Sequence, residues 1–112
     1  MASYELMYVI VPNLEDEDYA AANQRFSDLV TDNGGRVDKI DVWGKRRLAY
    51  EIKKWREGYY TLMYFDAPAE AVKELDRVLR INENVLRYMV VRREDQDSAA
   101  AQEKEAAAEN VK

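Results

Sequence analysis

The 112-residue sequence contains no cysteine and no histidine. Without cysteine it can form no disulfide framework and carries no thiol chemistry, which fits a reducing compartment such as the cytoplasm. Without histidine and cysteine, the commonest general base and the commonest nucleophile–base pairs of enzymes are absent, and the scattered carboxylates show no metal-ligand spacing. We expect neither an enzyme with a small-molecule substrate nor a protein that holds a metal or another cofactor.

Long apolar runs are absent as well. The sequence has no stretch of 18 or more apolar residues, and residues 1–5 lack a charged leader that is followed by an apolar core. We therefore expect a cytoplasmic protein with no membrane partner. Only four glycines and two prolines occur, and they mark the ends or bends of predicted elements.

The net charge of −5 gives a misleading picture of the partners that the chain can bind. Residues 94–112 contain six acids and two lysines, a net charge of −4, so residues 1–93 carry only −1. The charges of residues 1–93 are also segregated: residues 15–18 are acidic, whereas residues 45–56 are mainly basic. The field at a binding surface depends on local charge, so an acidic isoelectric point does not exclude RNA.

Hydrophobic periodicity predicts six elements in the order β-α-β-β-α-β. The predicted strands cover residues 4–11, 36–53, 59–65 and 85–93, with a bend at Gly44 and a turn over residues 55–58. The helices cover residues 14–32, with Asn13 as the predicted N-cap, and a second stretch that begins near Pro68. This order predicts a ferredoxin-like α+β sandwich in which both helices cover one face of a four-stranded antiparallel sheet. We predict that this domain spans residues 1–93. Residues 94–112, rich in Ala and Glu, are predicted to form a disordered acidic tail.

The segment 44–60 has the strongest functional pattern. Its six basic residues, against the acids Glu51 and Glu57, are Lys45, Arg46, Arg47, Lys53, Lys54 and Arg56. Leu48, Tyr50 and Ile52 alternate with polar residues, as in a strand with one buried face. Cations beside aromatic residues suit RNA phosphates and unstacked bases, whereas a solvated edge strand protected by Lys and Arg is the simpler structural explanation.

The predicted fold leaves the sheet face opposite the helices uncovered. On the predicted register this face presents five apolar residues: Met7, Val9, Val11, Met89 and Val91. An exposed apolar sheet face marks a protein-protein contact, unless the register is wrong. We therefore predict that a partner protein covers it.

Residues 44–60 resemble the family of the bacterial small-subunit (30S) ribosomal protein six. The matching positions are Gly44, Arg46, Arg47, Leu48, Ala49, Tyr50, Ile52, Lys54, Gly58 and Tyr59, with flanking matches that extend the similarity over residues 3–93. The resemblance implies a ferredoxin-like protein that binds the central domain of 16S ribosomal RNA as a heterodimer with ribosomal protein eighteen. Position 51 is often proline in that family and is Glu51 here, which lowers the charge of the basic strand.

The resemblance and the charge pattern together give the candidate residues for RNA or partner contacts. They are Tyr4, Arg46, Arg47, Lys53, Lys54, Arg56, Tyr59, Arg87, Arg92 and Arg93. The sequence does not separate those that contact RNA from those that contact protein. Two alternatives remain: an RNA-recognition-type domain that binds single strands alone, and a non-RNA interaction or sensor domain of the same fold.

Overall fold

The structure, a computed structural model, describes residues 2–93; Met1 and the predicted tail lie outside the described residues. The elements follow the predicted order. They are β1 (Ala2–Ile10), α1 (Asp16–Asp32), β2 (Arg36–Ile52), β3 (Trp55–Ala67), α2 (Ala69–Ile81) and β4 (Val85–Arg92). The strands form one sheet in the order β2-β3-β1-β4, and every neighbouring pair is antiparallel. The predicted ferredoxin-like fold is confirmed.

Strand β1 lies at the centre of the sheet because both of its faces are apolar. Leu6, Tyr8 and Ile10 point toward the helices and join Phe26 of α1 and Leu75 of α2 in the main core. Both helices pack on this face, as the sequence predicts. Burying the apolar stripe of each helix against the sheet is the main contribution to stability here.

Helix α1 begins later than the sequence predicts. Asn13 was the expected N-cap, but Glu15 occupies that position, and its backbone N–H donates to the Asp18 carboxylate Oδ2 over 3.2 Å. The predicted acidic first turn is thus confirmed, with Asp18 satisfying one of the free donors of the helix end. Before it, the Tyr19 hydroxyl donates to the Val11 carbonyl over 2.7 Å and holds the connection against the sheet.

The β2–β3 hairpin is longer than predicted, and its turn lies elsewhere. The expected turn over residues 55–58 is wrong: β3 already begins at Trp55, which pairs with Ile52. Lys53 and Lys54 form the turn with φ angles of 48° and 74°, the left-handed conformation of a two-residue hairpin loop. The predicted bend at Gly44 is confirmed, because the register shifts between Val42 and Gly44.

A bulge follows in the same hairpin. Arg47 pairs with Glu57 and Ile52 pairs with Trp55, so residues 48–51 of β2 lie opposite the single residue Arg56 of β3. Four residues against one cannot keep a regular alternation, and the strand bends locally. The predicted common buried face of Leu48, Tyr50 and Ile52 is therefore broken.

At the other end of the sheet, Asp66 joins three elements. The Ser3 hydroxyl donates to its Oδ1, and Arg36 Nη2 donates to its Oδ2 over 3.0 Å. The hydrogen bond from Ser3, and secondarily that from Arg36, holds the pKa of Asp66 below its usual value.

The Asp66 contacts predict a specific loss of stability in acid. A carboxylate whose pKa is lowered by folding stabilises the protein above its unfolded pKa, about 3.8, and this contribution is lost as pH falls through the lower folded-state pKa. Urea unfolding from pH 6 to pH 2 should therefore show a stability difference between the native chain and Asp66→Asn that shrinks below about pH 4. A difference that stays constant across this range would contradict the assignment.

Candidate RNA and partner-protein interface

The sheet face opposite the helices is largely filled by the chain itself. Met7 and Val9 are 2% and 0% exposed and form a second apolar cluster with Leu48, Tyr60, Leu62 and Tyr64. The expectation that Met7 and Val9 lie open on this face is wrong. The bulge of β2 explains the difference, because it brings Leu48 onto the sheet.

The other three residues of the predicted partner face are divided between two environments. Val11 lies beyond the end of β1 and is buried in the helix-side core, so it does not share the face. Met89 and Val91 pair with Met7 and Glu5 and are half-buried. Only the β4 part of the predicted apolar face is thus available to a partner.

The basic residues of the hairpin lie on the surface. The exposed ones are Lys45, Arg46, Arg47, Lys53, Lys54 and Arg56. Arg56 Nε lies 3.6 Å from Glu51 Oε1, so its charge is partly neutralised across the bulge. This pair is exposed and contributes little to stability, but it reduces the positive field of the hairpin.

Arg87 of β4 belongs to the same end of the sheet as the hairpin. It pairs with Val9 and, together with Tyr50 and Tyr60, lines one depression beside the bulge. Burial raises the pKa of Tyr60, and the nearby positive charge of Arg87 opposes that rise. Sequence reasoning chose Arg87 but not Tyr50, whose 63% exposed side chain follows from the bulge.

The two candidate tyrosines pack inside the domain rather than project from it. Tyr4 stacks on Phe65 with the ring centroids 5.6 Å apart, and it is half-buried. Tyr59 stacks on Tyr19 with the centroids 3.7 Å apart and the rings nearly parallel, at 6°. Both rings face the helix side, so they support the fold in the free chain.

Arg92 and Arg93 lie at the far end of β4. They are five and six residues from Arg87, which corresponds to about 17–20 Å along a strand. Arg92 pairs with Tyr4 and is exposed, whereas Arg93 is half-buried. The candidate basic residues therefore form two groups rather than one continuous surface.

Arg93 is part of a charged cluster that sequence reasoning missed. Its guanidinium lies 5.2 Å from the centre of the Tyr64 ring, and Lys39 Nζ lies 5.5 Å from the same ring. Arg93 Nε is also 3.7 Å from Oε1 of Glu5, whose side chain is 0% exposed. Burial, followed by the charges of Glu5 and Asp41, raises the pKa of Tyr64, while Arg93 opposes this. The only feature of the sequence that could have indicated this cluster is Glu5, an acid within an otherwise apolar strand.

Neither a metal-binding cluster nor a membrane-spanning helix is present in residues 2–93. Within this range no cluster of three or more acidic side chains is arranged to hold a metal ion. No helix in the same range is long and apolar enough to cross a membrane. The candidate surface is the basic, aromatic hairpin beside the partly apolar β4.

Comparison with known proteins agrees with this arrangement. A family model described as ribosomal protein S6 matches residues 3–92. The chain belongs to the ribosomal protein S6 family. Small ribosomal subunit protein bS6 of Moorella thermoacetica is 46% identical over 98 residues, which cover 88% of this chain and 100% of that protein. The bS6 protein of Clostridium botulinum strain Loch Maree is 49% identical over 94 residues, 84% of this chain and 100% of its own length.

A solved structure supports the same assignment. The crystal structure of 30S ribosomal protein S6 from Thermotoga maritima is similar to this chain with a TM-score of 0.78 and 31% sequence identity. The alignment covers 96% of this chain and 97% of that one. The resemblance of residues 3–93 to this S6 family is thus confirmed, and the family is one of ribosomal proteins rather than enzymes.

Proposed function

We propose that this protein is a structural component of the small ribosomal subunit in the cytoplasm, and that it binds the central domain of 16S ribosomal RNA as a heterodimer with ribosomal protein eighteen. Membership of the S6 family supports the ribosomal role. The single observation that supports RNA binding best is the exposed set of cations on the β2–β3 hairpin.

The electrostatics of the hairpin fit a phosphate backbone. Five of its cations have no ion pair among the described residues; Arg56 lies 3.6 Å from Glu51, and Arg47 is opposite Glu57 on the neighbouring strand without forming an ion pair. The acidic first turn of α1 lies on the helix side of the sheet. The local positive charge of the hairpin attracts RNA even though the whole chain is acidic.

The half-buried part of β4 fits the partner protein. Met89 and Val91 lie beside the filled sheet face, and Arg87 and Arg93 flank them on the same strand face. Apolar residues with arginines at their border are typical of a protein interface. The observed burial of Tyr60 and Tyr64 also weighs against an RNA-recognition-type domain, because it leaves no open aromatic platform on β3.

The test is a filter-binding titration of a 16S central-domain RNA fragment, with and without ribosomal protein eighteen. We expect tight binding only when the partner is present. If about four cations contact phosphates, log K against log salt should fall with a slope of about −3 to −4. Equal binding to any single strand without the partner would instead support a recognition domain, and a flat salt response would contradict the electrostatic account.

The double variant Arg46→Ala, Arg47→Ala tests whether the hairpin is the surface that contacts RNA. Both residues are exposed, so the variant should unfold at nearly the same urea concentration as the native chain. Its salt slope should be smaller in magnitude by about 1.5, because two phosphate contacts are lost. Arg25→Ala is the matched control, since that residue is an exposed arginine on α1. If the control weakens binding as much as the double variant, the hairpin is not the RNA contact.

A further inference from the structure

Tyr50 is the most unusual side chain of the hairpin. It is 63% exposed in a chain whose other aromatic residues, within the described range, are buried or half-buried. The neighbouring Leu48 is buried in the second cluster, so the bulge divides these two residues between the interior and the surface. The exposed ring is therefore accessible to a ligand.

The surroundings of Tyr50 combine apolar side chains, among them Leu48, with cations. Tyr50 lines a depression together with Ile52, Tyr60 and Arg87, and its hydroxyl is close enough to Tyr60 to affect the pKa of that phenol. Arg46, Arg47 and the turn lysines are exposed along the same hairpin. The depression therefore combines an open aromatic ring with apolar residues and one guanidinium, and the exposed cations of the hairpin lie before and after Tyr50 along the chain.

This combination fits a nucleotide better than a protein side chain. A base can stack on the phenol ring while its phosphates contact the flanking cations, and a guanidinium can donate to base acceptors. A protein hot spot would instead need a desolvated apolar pocket, but the exposed neighbours of Tyr50 are mostly charged. Charge complementarity thus favours an RNA occupant.

We propose that Tyr50 is a stacking platform for the base of one unpaired nucleotide, with Arg87 beside it as a donor to that base. This inference rests on the proposed RNA-binding function and adds to it the form of RNA that the hairpin takes: a flipped-out or single-stranded nucleotide rather than a continuous duplex. The cations of the hairpin attract the phosphates of the RNA backbone, and Tyr50 contacts the base.

The experiment uses the full chain alone at low salt with two probes of equal length: a short oligoadenylate and an abasic ribose-phosphate oligomer. The native chain should bind the oligoadenylate more tightly. Tyr50→Leu should weaken oligoadenylate binding about tenfold without changing its salt slope, and leave abasic binding unchanged. Tyr50→Phe, which keeps the ring, should bind both probes as the native chain does.

Every other result overturns the stacking proposal. Equal affinity of the native chain for the two oligomers, or binding to neither, shows that bases are not contacted here. An equal loss with both probes in Tyr50→Leu assigns the residue to folding or backbone contact. If Tyr50→Leu keeps its RNA affinity but binds ribosomal protein eighteen less tightly than the native chain does, Tyr50 belongs to the protein interface. None of these outcomes requires failure of the partner-dependent binding of 16S RNA, which is measured separately.

Discussion

Replacing Gly58 with alanine should lower the free energy of unfolding by about 3 kcal/mol, a large effect for the addition of one methyl group. A Cβ at this position would lie less than 3.0 Å from Val9 Cγ1, in a buried cluster where neither group has room to move. It would also lie 3.5 Å from Leu48 Cδ2. Urea unfolding of Gly58→Ala against the native chain measures the loss.

Two further variants separate the steric cause from an effect on the backbone. Gly44→Ala is the control: its φ of +82° makes alanine unfavourable, but a Cβ there meets nothing within 4 Å. It should cost only about 1 kcal/mol. Removing the clash with Val9→Ala should make Gly58→Ala much less costly in the double variant than in the native background. Equal costs in both backgrounds would show that Val9 is not the obstacle.

The close approach at Gly58 connects the fold to the proposed RNA contact. The missing side chain lets Leu48 and Val9 meet over β3, and this contact anchors the bulge that exposes Tyr50. Gly58→Ala should therefore weaken binding of the oligoadenylate even at temperatures where the chain remains folded. The hairpin thus carries the basic surface and also supplies Leu48 and Tyr60 to the second apolar cluster.

The order of helices and strands could be predicted because it depends on hydrophobic periodicity and on the residues that end each element. A strand is indicated by alternating apolar residues, or by apolar residues on both faces, and a helix by one apolar stripe. Glycine or proline marks the ends of these elements, so each can be predicted almost without knowledge of the rest of the fold. The end of α1 shows this well: the helix stops at Asp32, and Gly34 follows the C-cap with a φ of +86°. Boundaries were less accurate: Glu15 rather than Asn13 caps α1, because several polar residues can cap the same helix.

The burial of the sheet face opposite the helices could not be predicted from the alternation of apolar and polar residues. A bulge of four residues against one leaves no mark in the composition of residues 48–51, since each of them is also compatible with a regular strand. The pattern therefore suggested that Met7 and Val9 were open, whereas Leu48 covers them. The positions of the basic side chains on a surface hairpin were easier to predict, because Lys and Arg are rarely buried.

Contacts between distant parts of the chain were also beyond the sequence pattern. Glu5 is an acid within an otherwise apolar strand, and Arg93 lies 88 positions later, so nothing local relates them. The structure brings them together because β1 and β4 are neighbours, with Glu5 opposite Val91. Arg93 was selected for RNA or partner contact, and its half-buried guanidinium has an additional structural role.

Replacing Arg93 with methionine should therefore destabilise the domain by about 3 kcal/mol, which is far more than an exposed arginine contributes. The side chain of Glu5 is fully buried, and removing the cation 3.7 Å away leaves the cost of burying the carboxylate less compensated. Methionine retains much of the apolar length of arginine, so lost packing is a small part of the change. Arg92→Met, at the exposed neighbouring position, is the matched control and should change stability by less than about 0.5 kcal/mol.

A double-mutant cycle decides whether the charge of Glu5 is the cause. Glu5→Gln removes the buried charge and nearly preserves the shape of the side chain, so Arg93→Met should cost substantially less in that background. We expect a coupling energy of about 1–2 kcal/mol between the two positions from urea unfolding at neutral pH. A coupling below about 0.5 kcal/mol would mean that Arg93 acts mainly through the Tyr64 ring, 5.2 Å from its guanidinium. In either case, replacing Arg93 in an RNA-binding assay changes the fold as well as the contact, whereas the hairpin arginines can be tested without that complication.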